Sequence, residues 1–160
     1  MNFDKIDIAI LSNLQKHGRM TNVELAKRAG ISAPPCLRRL KLMEKQGAIL
    51  SYHAEINPEF TGFSIKAFCT VTLVSQASPI VNDFLKIVEK EPNIRTCFST
   101  SGNELFILTI VAKDLREYEK VLKNKLQNSN VVSSITSHIV LNTHKSEFGI
   151  PIETLSTQKK

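Results

Sequence analysis

The chain is poor in cysteine, and what it has forms no chemical arrangement. Cys36, Cys69 and Cys97 are the three present, and no Cys-x-x-Cys pair occurs. Zinc-ribbon and thioredoxin-type chemistry therefore have no support. An odd count also argues against a secreted disulfide framework, and small buried hydrophobes are the simpler expectation. The four histidines, His17, His53, His138 and His144, lack metal-ligand spacing. No apolar run reaches the roughly 20 residues of a membrane span. The opening Met1-Asn2-Phe3-Asp4-Lys5-Ile6-Asp7 is acidic where a secretory leader is basic. No nucleophile motif, internal repeat or low-complexity tract is present. The composition thus points to a cytoplasmic protein of one or two small domains, with no cofactor, metal or membrane partner.

What the sequence does have is ordinary globular composition with a lopsided charge. Of 160 residues, 42% are hydrophobic and 22% charged, the net charge is +6 and the pI is about 9.3. Residues 1–57 hold nine Lys/Arg against five Asp/Glu, and residues 58–160 hold twelve against ten. The positive excess at the N-terminal end favours an anionic partner there.

Three helical patterns fill that end. The first runs from about Asp4 to Lys16, with Ile6, Ile10 and Leu14 on one face, and Gly18 stops it. The second opens on the capping box Thr21-Asn22-Val23-Glu24 and ends at Gly30. The third starts at Ser32, a good N-cap, with Pro34 and Pro35 in the first turn, where proline costs little. It runs to about Gln46. Its apolar face is Cys36, Leu40 and Met43, so Arg38 points away from the core, flanked by Pro34 and Lys41, with Arg39 at the shoulder. Two capped helices joined by the tight Ala29-Gly30-Ile31 turn form a helix-turn-helix pattern with an exposed basic face. Small residues such as Ser32 and Ala33 allow close approach, the helix N-terminus suits a phosphate, and Arg38, Arg39 and Lys41 can reach phosphates or guanine edges. A helical bundle with a solvated basic face is the competing reading.

The remainder alternates between strand and helix patterns. Ile49 to Ile56 is strand-like and reads as a linker strand within 49–63, closed by Asn57-Pro58. Strand patterns follow at about 64–74, Ile94–Thr100, Glu104–Ala112 and Val131–Leu141. Helical patterns lie at about 79–90 and after Asp114, where Leu115, Tyr118, Leu122 and Leu126 share a face. The order β-α-β-β-α-β is that of the ferredoxin-like split fold. Ser101-Gly102-Asn103-Glu104 joins two strands and lacks the context of a phosphate loop. The chain turns polar after about Asn142. An α+β fold is expected: a three-helix, winged-type helix-turn-helix domain over 1–48, the linker strand over 49–63, a ferredoxin-like domain over 64–142, and a C-terminal tail over 143–160. A sheet with helices on one face leaves the other needing a partner, so either Phe68 and Thr70 or Cys69 and Val71 must lie at a subunit contact.

These residues resemble the Lrp/AsnC family of leucine-responsive and asparagine-synthesis regulators over about residues 2–150. The resemblance is carried by Phe3-Asp4-Lys5-Ile6-Asp7, by Asn22-Val23-Glu24-Leu25-Ala26, by Ile31-Ser32-x-x-Pro35-Cys36-x-x-Arg39, by Leu40-Lys41, and by Glu44-x-x-Gly47-x-Ile49. It implies a transcription regulator, not an enzyme, that binds double-stranded DNA through Thr21, Asn22, Ser32, Ala33, Pro34, Pro35, Arg38, Arg39 and Lys41. It implies self-assembly into dimers and often tetramers or octamers, a nucleoid location, and a small-molecule effector, commonly an amino acid, near Ser101, Gly102, Asn103 and Glu104. In that turn Asn103 stands where the family usually has an aspartate, and Leu105 where it usually has a second polar residue. Both departures predict weak or absent binding of common amino acids. Two alternatives stay open: an architectural DNA organiser without an effector, and a haem-pathway decarboxylase on the same layout, in which His53 or His138 would act as axial ligand or acid.

Overall fold

The computed structural model describes residues 3–101, 105–146 and 149–155. The chain divides into two compact units, one built from residues 1–55 and 145–160, the other from 56–144.

The first unit holds α1 (Lys5–Lys16), α2 (Asn22–Ala29) and α3 (Ala33–Lys45). Each begins where local chemistry dictates. The Asp4 carboxylate accepts the Ile6 and Asp7 amides at 2.8 and 2.9 Å, and Asp7 reaches back to the Asp4 amide at 3.1 Å. Thr21 and Glu24 form the expected reciprocal box, which satisfies two of the otherwise orphaned donors of the first turn. Gly30 ends α2 with φ +72°, a left-handed conformation that glycine adopts without steric cost. Ser32 is a correction. It occupies the N-cap of α3 with extended backbone but makes no capping hydrogen bond. A cap oxygen bonds the amides of the second and third helical residues. Here these are Pro34 and Pro35, which have no N–H. Ile10, Leu11, Leu25, Ala26, Cys36 and Met43 form the core of this unit.

Within the segment expected as the C-terminal tail, a short 3₁₀ turn, Ile152–Thr154, packs on α1, and Ile152 joins the helical core at 6% exposure; residues 156–160 lie outside the described residues. A second correction concerns the linker. Residues 50–57 form no strand, and the next element is the four-residue helix α4 (Pro58–Thr61), capped by Asn57. Leu50 and Ile56 stay exposed. Alternation gives a strand its faces, but only a neighbouring strand gives it a ladder, and none pairs with these residues among the described residues.

The second unit follows the expected order: β1 (Ile65–Leu73), α5 (Ser78–Lys90), β2 (Ile94–Ser99), β3 (Leu105–Ala112), α6 (Leu115–Val121) and β4 (Val132–Ile139). The strands form one antiparallel sheet in the order β2-β3-β1-β4. Alternation sends Ala67, Cys69, Val71 and Leu73 of β1, with Phe106, Leu108, Ile110 and Ala112 of β3, to the helix-covered face. Phe84 of α5 and Tyr118 of α6 complete that core, and Phe84 packs on Phe106 with ring centroids 4.8 Å apart. The choice left open for β1 is therefore settled: Cys69 and Val71 are core, and Phe68 and Thr70 lie on the open face. The last helix also departs from a plain α-helix, because Leu122–Gln127 is a π-helical turn. Tyr118, Val121 and Leu126 are buried while Leu115 is about half exposed.

Candidate nucleic-acid interface

α3 presents its cations in two different ways. Arg38 and Lys41 are exposed, as helical phase requires. Neither forms an ion pair among the described residues, and nor does Lys45, seven residues after Arg38 and so on nearly the same face. Together with Leu42, Gln46 and the Arg39–Asp7 pair, these three side chains line an open groove of about 750 Å³ along α3. Lys45 and Leu42 are absent from the set expected from sequence. The signal for both was available in the seven- and four-residue spacing from Arg38.

Arg39 behaves otherwise. Its Nη1 donates to Asp4 Oδ2 and to Asp7 Oδ1, each at 2.7 Å. Its side chain is 31% exposed and that of Asp7 only 12%. Burial pulls the Asp4 carboxyl upward, but the Asp7 amide and the Arg39 guanidinium outweigh it and hold the group below its usual range. Arg39 thus ties α3 to the first turn of α1, and its guanidinium is committed within the fold.

The remaining expected residues divide the same way. The Thr21 hydroxyl donates to Glu24 Oε2 at 2.7 Å as part of the cap. The Asn22 amide donates to the Ala33 carbonyl at 2.9 Å, joining the starts of α2 and α3, while its Oδ1 is buried without a hydrogen-bond partner. Ser32 and Pro34 are exposed at the tip of α3, with Ala33 and Pro35 half-buried behind them. Beyond α3, Tyr52 donates to Glu44 at 2.8 Å, and burial together with that carboxylate pushes its phenol up to about 12.

In the sheet unit, Ser99 of β2 pairs with Phe106 of β3, so the segment around Ser101 joins strands two and three as expected. Ser101 is exposed, and Gly102, Asn103 and Glu104 lie outside the described residues. His53 shares a hydrogen bond with Ser51 at 2.6 Å in the first unit. His138 stands on β4 opposite Phe68 in the second. Among the described residues no cluster of His, Cys, Asp and Glu could hold a metal. Burial raises the thiol pKa of both Cys36 and Cys97.

Comparison with known proteins agrees with this layout. The Lrp/AsnC ligand binding domain matches residues 66–150, and a winged helix-turn-helix DNA-binding domain matches residues 3–49. The chain belongs to the Lrp/AsnC family. It is a transcription regulator of the Lrp/AsnC type, with an α+β fold of helix-turn-helix and ferredoxin-like parts. The leucine-responsive regulatory protein of Rhizobium meliloti is 37% identical over 138 residues, covering 86% of this chain and 88% of that protein. The protein of the same name from Escherichia coli K12 is 35% identical over 151 residues, 94% of this chain and 92% of its own. A Neisseria meningitidis transcriptional regulator solved as an L-Met complex superposes with a TM-score of 0.90 at 34% identity, covering 94% of this chain and 97% of that one. A feast or famine regulatory protein from M. tuberculosis, complexed with L-methionine, gives a TM-score of 0.81 at 31% identity, over 92% and 97% of the two chains. The relatives of this Lrp/AsnC chain are thus transcription regulators. Among its described residues no helix is long and apolar enough to cross a membrane.

Proposed function

We propose that this regulator reads double-stranded DNA with the outer face of α3, using Arg38, Lys41 and Lys45, while Arg39 and Asn22 position that helix. The observation that carries the assignment is the contrast within α3: three exposed cations have no ion-pair partner in the described fold, and the one beside them is clamped by two carboxylates. Ser32 adds a hydroxyl that no cap consumes, at a helix N-terminus suited to a phosphate. Residues 1–48 serve as the DNA-binding domain, 49–63 as the connector and 64–142 as the effector and assembly domain, in a protein that acts by binding in the cytoplasm, on the nucleoid. The test is a set of titrations of Arg38→Ala, Lys41→Ala and Lys45→Ala against a duplex selected from random sequence by the parent, at several salt concentrations. A base-reading side chain should cost about 1–3 kcal/mol and relax specificity at one position. A phosphate contact should weaken binding uniformly and lower the salt slope by about 0.9. Three parent-like titrations refute the assignment.

The functional assembly is a dimer or a multiple of dimers. Phe98, Phe68 and Ile107, at 58%, 43% and 36% exposure, share the open face of the sheet, and a second copy would remove them from water. The unpaired alternation of residues 50–57 offers a second edge for the same purpose. Two-fold pairing would also place two α3 helices on one duplex. The effector is a small metabolite bound at the turn that includes Ser101, Gly102, Asn103 and Glu104. The L-Met complexes of the two relatives support an amino-acid-like molecule. Asn103 and Leu105 favour one bound less through charge and more through apolar contact.

A further inference from the structure

The last described segment of the chain, 149–155, belongs to the helical unit, although the whole sheet unit separates it in sequence from α1. Its attachment is specific. Ile152 is buried with Ile10 and Leu11. The Gln15 side-chain amide donates to the Ile150 carbonyl at 2.8 Å and accepts the Ile150 amide at 3.1 Å, as a neighbouring strand would. Glu153 accepts from Ser12 at 2.8 Å and pairs with Lys16 at 2.7 Å. Gly149 has φ +88°, and a Cβ at that position would fall on the Gln15 amide. Only glycine meets both conditions.

α1 therefore carries two attachments. Its C-terminal half, Ser12 to Lys16, holds the segment, and its first turn, Asp4 and Asp7, holds Arg39 of α3. We infer that residues 149–155 are a latch that completes the reading head and, by docking on α1, closes a second tether to the sheet unit, so that DNA affinity depends on the latch being shut. The inference rests on α3 being the DNA-reading element. One connection leaves the helical unit after Glu55 and the other returns at Lys145. The returning one comes directly from β4, an edge strand of the sheet. A head held by one connector samples a wide range of positions, whereas a head held by two samples fewer, and paired heads must meet successive grooves at fixed spacing. The latch also supplies apolar burial to a unit too small to have much in reserve.

The experiment uses the full chain with Ile152→Ala and, separately, Gly149→Val. Each is compared with Arg38→Ala by amide exchange and by titration against a duplex selected by the parent. Ile152→Ala empties a core position, so exchange in α1 should rise by roughly tenfold or more. DNA affinity should fall about threefold or more, while sheet exchange and self-association stay as in the parent. Gly149→Val should do the same by expelling Gln15. Parent-like DNA affinity in both variants overturns the latch, whether or not α1 exchange rises, and parent-like α1 exchange in both shows that the segment is not docked. Arg38→Ala should lose DNA affinity with α1 exchange unchanged. If it instead titrates like the parent, the DNA-reading assignment has failed, and the α1 exchange of the two latch variants alone decides whether the segment is docked.

Discussion

Replacing Arg39 with alanine separates a clamp from a contact. The structure sets the magnitude. Arg39 makes two charge-assisted hydrogen bonds of 2.7 Å, one to the exposed Asp4 and one to Asp7, whose side chain is 12% exposed. The exposed pair is screened and contributes little, about 0–1 kcal/mol. The Asp7 pair is worth more, because truncation leaves a largely buried carboxylate without its counter-charge. A fully buried broken pair costs about 3–5 kcal/mol, and a hydrogen bond to a charged group about 1.5–3 kcal/mol. The partial exposure of Arg39 places the expected loss near the lower of these, about 2 kcal/mol. Asp7→Asn in the Arg39→Ala background should recover part of it, since the stranded charge is then gone. The assay pairs amide exchange across α1 and α3 with DNA titration at several salt concentrations. A clamp predicts faster exchange in both helices and weaker DNA binding with an unchanged salt slope. Arg39→Lys should recover only part of the effect, because an ammonium lacks the planar fork of a guanidinium. Parent-like exchange together with a salt slope reduced by about 0.9, the signature of one lost phosphate contact, would refute the reasoning.

Three further outcomes are expected. Phe98→Glu or Ile107→Glu should dissociate the assembly in light scattering while leaving the fold intact by far-UV dichroism, because a charge on the open sheet face cannot be buried without a partner; an unchanged assembly places the interface elsewhere. A thermal-shift panel of the twenty amino acids should show weak or no shifts for the polar ones and at most modest shifts for methionine and leucine. Tight, saturable binding of asparagine or leucine, lost on substitution of Gly102, would show that Asn103 and Leu105 are harmless departures. Glu153 is held down to about 2 by Lys16, its local amide and Ser12. A depressed folded pKa contributes stability fully above the ordinary glutamate value of 4.5, and that contribution is lost as pH falls through about 2. Slowed exchange in the C-terminal half of α1 should therefore hold at neutral pH and fade below about 4.5, and Glu153→Gln should remove that dependence; an unchanged pH profile in the variant contradicts it.

Most of the architecture was legible in the residues because it rests on local rules. A cap at Asp4, the capping box at Thr21, glycine at position 30, and the switch between helical and alternating periodicity place eight of the helices and strands to within a residue or two. The Pro34-Pro35 pair even carried the information that Ser32 has no amide to cap. The outward aim of Arg38, Lys41 and Lys45 follows from helical phase alone. What the local rules could not supply is which group meets which across the fold. Arg38 and Arg39 are chemically identical neighbours, and one is presented outward while the other is bound by Asp4 and Asp7, 35 and 32 residues away. Ile152 fell within the expected tail because Ile150, Ile152 and Leu155 are too few to set a helical or strand period, and its burial depends on the chain returning to α1. Alternation in β1 named two candidate faces, and the helices over Cys69 and Val71 chose between them. The strand pattern of 50–57 is present in sequence and unpaired among the described residues, because a strand exists only where another backbone accepts its hydrogen bonds. Periodicity, capping and turn chemistry are properties of neighbouring residues and are written in the sequence. Ion-pair commitment, burial of isolated side chains and strand pairing join distant residues, and three-dimensional packing alone decides them.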